Sequence, residues 1–134
     1  MPRFQTARPS RGAGVTLVEL LVVVAIVGVL SAAAYPAYGR YLLKNNRAAA
    51  QVHLMELAQA QSQYMADSRS YAASVTALGM STPAAVSAKY TIGIRLEDGP
   101  PAAFTITATP VGAQLADGAL SINSAGTRTP AAKW

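Results

Sequence analysis

Twenty consecutive residues near the start of the chain, Val15 to Ala34 (VTLVELLVVVAIVGVLSAAA), contain a single charge, Glu19. As a helix at about 1.5 Å per residue they span roughly 30 Å, the hydrocarbon thickness of a bilayer. Valine and isoleucine are only middling helix formers in water. In lipid, however, each backbone amide has to be satisfied within the segment, and a helix does that. Pro36 follows and is expected to break or kink the helix near Ala32.

The rest of the chain divides around this run. Met1 to Gly14 (MPRFQTARPSRGAG) holds Arg3, Arg8 and Arg11, two prolines and two glycines, and reads as a basic leader unable to bury itself. From Tyr38 to Met65, Leu43, Ala50, Leu54, Leu57, Ala58, Tyr64 and Met65 recur at helical steps on one side, while Gln59, Gln61, Ser62 and Gln63 make a polar side. Arg40, Lys44 and Arg47 form a basic stripe on the first turns; it reads as a solvated face, or as a grip on phospholipid headgroups or DNA. Residues 66–88 are small and polar, a long surface connection with a short turn of helix near Val75 to Leu78. Tyr90, Ile92, Ile94 and Leu96 then alternate with Lys89, Thr91, Gly93 and Arg95, as a half-buried strand does. Glu97 to Pro101 is a turn, Phe104, Ile106 and Ala108 mark a second strand, and Leu120 and Ile122 a third after Asp117-Gly118. The expected division is therefore 1–14 leader, 15–36 membrane or assembly half-helix, and 37–134 a globular domain. That domain comprises a helix over 37–65, a connection over 66–88 and an antiparallel sheet of three to four strands over 89–134. The fold class is α+β.

Composition narrows the chemistry. Apolar residues are 51% of the chain and charged ones 13%, a balance suited to membrane attachment. Eleven basic residues oppose six acidic; without the three leader arginines eight face six, a balance of +2. Such a weak surplus argues against DNA as a partner. There is no cysteine, hence no disulfide, thiolate metal site or cysteine nucleophile, and His53 is the single histidine. Packing, at the surface or inside, is the plain role for His53, and core or loop-pinning roles suit Tyr64 and Tyr71. No cofactor, metal site or enzymatic activity is expected.

Gly14-Val15-Thr16-Leu17-Val18-Glu19, after a short basic leader and opening an apolar helix, resembles the processing site of type IV prepilins. Val15 stands where phenylalanine is usual. Pro36, Ala37 to Tyr41, Asn46-Arg47-Ala48, Leu57 to Gln61 and Asp67 to Tyr71 are similar to the PilE-type minor pilins of Gram-negative bacteria. The resemblance implies a pilin fold and cleavage after Gly14 by the prepilin peptidase, which also methylates the Val15 amine. It further implies Glu19 setting register against the amine of a neighbouring subunit. The implied function is that of a structural subunit, a minor pilin in type IV pilus assembly serving motility or adhesion. The implied partners are other pilin subunits, the inner-membrane assembly machinery and the lipid bilayer. The implied location is the inner membrane with the leader in the cytoplasm, then the extracellular pilus. A DNA-uptake receptor pilin and a type II secretion pseudopilin are the alternatives; the scarcity of acids at Glu97, Asp98 and Asp117 speaks against the calcium site of the latter.

Glycine at the cut leaves the scissile backbone open to a protease. Cleavage leaves an ammonium on Val15, and Glu19 lies one helical turn away, able to balance it within the subunit or in a neighbour. A secretory signal peptide ending at Ser31 to Ala34 explains the same apolar run, but not Glu19 within it, its length or Pro36 beyond it. A plain one-span anchor explains Glu19 as a first-turn carboxylate but leaves Gly14 unexplained. Ala25, Gly28 and Ala32 are either a close-packing seam or simply small residues in an apolar span.

Overall fold

The structure, a computed structural model, describes residues Gly14 to Trp134, and residues 1–13 of the leader expected over 1–14 lie outside them. A helix α1, Leu17–Ser68, opens the chain and belongs to two units that divide between Tyr38 and Gly39. It runs through Pro36 as one element, so of the expected break or kink near Ala32 the break does not occur. Proline takes its own N–H out of the ladder and its ring crowds the Ala32 carbonyl, yet the hydrogen bonds of the amides on either side carry the helix across it.

In the first unit the helix packs on nothing among the described residues. Its valines, leucines and isoleucine from Val15 to Leu30 keep between 50% and 79% of their surface exposed. A segment this apolar gains nothing from water, so its stabilising surroundings lie outside the described residues.

The second unit, Gly39–Trp134, holds the core. Helix α1 buries Ala50, Leu54 and Leu57 against a sheet built from β1, Tyr90–Glu97, β2, Ala103–Pro110, β3, Leu120–Asn123, and β4, Arg128–Thr129. The sheet is antiparallel throughout in the order β1-β2-β3-β4. Its register places Ile94, Ile106 and Ile122 in one row and Ile92, Ala108 and Leu120 in the next, so the alternation read in the sequence becomes one apolar face. Tyr90, Phe104, Ile106, Ala108, Leu120 and Ile122 are buried in it. Tyr71 meets Phe104 edge-on with ring centroids 4.7 Å apart, which ties the connection after α1 to the core.

The connection differs from expectation in detail. Helix α1 continues to Ser68, three residues beyond Met65. Val75 to Gly79 form turns, and the short helix comes later, at α2, Ala84–Ser87, after Pro83. Gln61, expected on the polar side, is fully buried. Its amide donates to the Ala72 carbonyl at 2.7 Å and accepts from the Ala72 N–H at 2.8 Å, so both its polar atoms are satisfied inside. A 3-10 helix, Gly112–Asp117, bridges β2 and β3, where the sequence shows only a turn signal at Asp117-Gly118.

Candidate functional site

The residues expected to carry assembly sit at the start of α1. Gly14 and Val15 are exposed, and a side chain at Gly14 would meet nothing among the described residues. Packing therefore gives no reason for a glycine at position 14. Thr16 precedes the first helical residue, and its hydroxyl accepts the Glu19 N–H at 3.2 Å. Threonine followed three residues later by glutamate is the pattern of a capping box, which satisfies the free amides of a helix start. The motif thus has a local structural use that its spacing alone could have revealed. Glu19 is exposed and belongs to neither ion pair found among the described residues. Gly14, Val15 and Glu19 fall within six residues; Pro36 lies farther along the helix, away from this cluster. Ala25, Gly28 and Ala32 are all exposed.

In the second unit, one member of the basic stripe is engaged. Arg47 Nη1 donates to Asp117 Oδ1 at 2.8 Å, while Arg40 and Lys44 stay exposed. The pair belongs to a network that joins α1 to β1 and the 3-10 helix. Asn46 donates to Gln114 Oε1 at 3.1 Å, and Gln114 Nε2 donates to the Leu43 carbonyl at 3.0 Å and to Tyr90 Oη at 2.8 Å. Tyr90 Oη in turn donates to Asp117 Oδ2 at 3.3 Å. Burial, with the Asp117 charge adding to it, pushes the Tyr90 phenol above its ordinary value. Gln114 gives no sign of this role in the sequence, since a lone glutamine in a loop has no periodicity to place it.

His53 is buried at 2% exposure, and neither ring nitrogen has a hydrogen-bond partner among the described residues. The nearest charge, Glu56, stands 3.6 Å from Nδ1 and is itself half exposed. Toward the end of the chain the Arg128 guanidinium lies over the Trp134 ring at 5.3 Å from its centre. Among the described residues no three His, Asp or Glu side chains come together as metal ligands.

These features can be set beside known proteins. Residues 36–121 match the family described as type IV minor pilin ComP, DNA uptake sequence receptor. The chain belongs to that minor pilin family. Residues 9–35 match the prokaryotic N-terminal methylation motif, which covers Gly14, Val15 and Glu19 together with the whole apolar run from Val15 to Ala34. A protein named "Fimbrial protein" from Neisseria meningitidis serogroup B (strain ATCC BAA-335 / MC58) is 30% identical over 86 residues, 64% of this chain and 51% of that protein. The chain therefore spans about half the length of the curated relative it matches. The long N-terminal helix with a four-stranded antiparallel sheet is the pilin-like α+β arrangement, and pilin families are structural. The apolar start of α1 and the methylation motif together fit membrane anchoring in a minor pilin.

Proposed function

We propose that this minor pilin is held in the inner membrane by residues 15–36 with its leader in the cytoplasm, is cut after Gly14 and methylated on Val15, and then enters an extracellular type IV pilus. The observation that supports this is the exposed apolar stretch from Val15 to Leu30, which lies inside the matched N-terminal methylation motif. Such a surface needs lipid before assembly and other subunits after it. Glu19 keeps its carboxylate at the start of that stretch, where an ammonium on Val15 of the same or a neighbouring subunit would neutralise it. The partners are the prepilin peptidase, the assembly machinery of the inner membrane, other pilin subunits and the bilayer. The role is structural, without catalysis. Mass spectrometry of protein taken from membranes and from sheared pili tests this. A mature chain beginning at methylated Val15 in both fractions is expected, and a start at Tyr35, or an uncut Met1, sinks it.

The matched family favours a second reading, in which the globular unit also receives DNA. Arg40, Lys44, Lys89 and Arg95 are exposed cations that would meet phosphates, against the modest +2 balance of the mature chain. Mobility shift of a short duplex is the test. Binding that falls steeply between about 50 and 200 mM salt supports the receptor role, and no shift at low salt removes it.

A further inference from the structure

From Leu20 to Met55 the chain holds no aspartate or glutamate, while Arg40, Lys44, Arg47 and His53 all lie in that stretch. The charge of Arg47 is taken up by Asp117. Arg40 and Lys44 remain exposed one helical turn apart, beginning six residues after the apolar run ends at Ala34. Beside the same turns of α1, within the second unit, is a hollow of about 260 Å³ whose walls include Gly39, Leu42, Leu43, Asn46, Lys89 and Gln114. Leu42 and Leu43 make its sides apolar. Asn46 and Gln114 are already hydrogen-bonded to one another, so they leave Lys89 as the charged group available to a ligand. Lys89 has no carboxylate within ion-pair distance among the described residues. Tyr35, Tyr38 and Tyr41, all well exposed, follow the apolar run at three-residue steps, and tyrosine is the kind of residue enriched at membrane interfaces.

We propose that the hollow lined by Leu42, Leu43 and Lys89, flanked by Arg40 and Lys44, binds the headgroup and upper acyl region of an anionic phospholipid. Lys89 meets the phosphate, the leucines cover the first methylenes, and Arg40 and Lys44 meet neighbouring headgroups. Apolar walls with a single cation match an amphipathic anion better than a fully solvated phosphate, and the position just beyond the apolar run is where headgroups would lie. The inference rests on the membrane-inserted reading given above.

The full chain in detergent, examined by native mass spectrometry, tests it with dioleoyl phosphatidylglycerol against dioleoyl phosphatidylcholine. The anionic lipid should be retained at least about fivefold better, and Lys89→Gln should lower its retention by about fivefold, as should Arg40→Gln with Lys44→Gln. Equal retention of the two lipids, or a Lys89→Gln variant that behaves as the parent, overturns the proposal. A dimer peak that grows as lipid is removed and vanishes in Lys89→Gln would make the occupant a second copy and also overturn it. Extraction by alkaline carbonate separates the two levels. A chain released from membranes defeats the membrane reading, whereas one that resists release but ignores lipid charge defeats only this inference.

Discussion

The guanidinium of Arg47 lies 2.8 Å from the carboxylate of Asp117, a contact between residues seventy positions apart in the chain. It ties the helix of the globular unit to the segment between β2 and β3, and both side chains are largely sheltered from solvent. Asp117 also accepts from Tyr90, so the carboxylate serves two donors. Asp117→Ala leaves both without it and is expected to cost about 1.5–3 kcal/mol, the range for hydrogen bonds to charged groups. Denaturation of the detergent-solubilised chain, followed by Trp134 fluorescence, measures this. In a double-mutant cycle with Arg47→Ala the two losses should fall short of adding. Strict additivity would show the contact to be energetically idle.

The same network predicts an alkaline limit. The Tyr90 phenol is held above its ordinary 10.0, burial being the first cause. A group raised in the folded state contributes stability that is intact below its unfolded value and is lost as pH climbs through the folded one. Stability should therefore fall above about pH 10, with a part of the fall absent in Tyr90→Phe. At neutral pH that substitution should itself cost about 1 kcal/mol, because Gln114 and Asp117 lose a partner. Identical alkaline profiles for parent and variant would contradict the assignment.

His53 offers the opposite expectation. A buried ring with both nitrogens unpartnered among the described residues has lost its water without gaining hydrogen bonds. His53→Leu should leave the denaturation midpoint unchanged or raise stability by about 1 kcal/mol. A clear drop in the midpoint would mean that the imidazole contributes more than its volume.

Periodicity made most of the globular unit legible before any coordinates. Leu54 and Leu57 on the helix, and Ile92, Ile94, Phe104 and Ile106 on two strands, declare their faces by spacing of three to four or of two, and these are the residues that pack or line the core. Gln61 misled because its type is polar, although it stands four residues after Leu57 on the buried stripe; its amide is absorbed by the backbone of Ala72. Gln114 and the 3-10 helix around it could not be read, since their hydrogen bonds reach residues 24 and 71 positions away in the chain. At the start of α1 the order was reversed. The motif was plain in the sequence, whereas its capping role emerged from the Thr16 to Glu19 contact. Pro36 does not end the helix, because the hydrogen bonds of the amides on either side of it carry the helix on.

Replacing Glu19 separates assembly from anchoring. Glu19→Val removes a carboxylate from an apolar segment, where insertion scales put its cost at roughly 2.5–3.5 kcal/mol at mid-bilayer and less near an interface, so membrane retention should be unharmed or improved. The helix start should survive as well, because Thr16 caps the backbone N–H of residue 19 and not its side chain. What is lost is the counter-charge. If the chain is cut after Gly14 as proposed, the Val15 ammonium sits at the positive end of the helix dipole, and without a carboxylate it would enter the filament uncompensated. Breaking a buried charge pair costs about 3–5 kcal/mol, and each 1.4 kcal/mol is about tenfold in an equilibrium. The cleaved variant is therefore expected to accumulate in the inner membrane and to be depleted by about a hundredfold or more from sheared pili. Immunoblots of the membrane and sheared fractions check this. Equal incorporation of Glu19→Val and parent would reduce the carboxylate to part of a helix cap and leave the register mechanism without support.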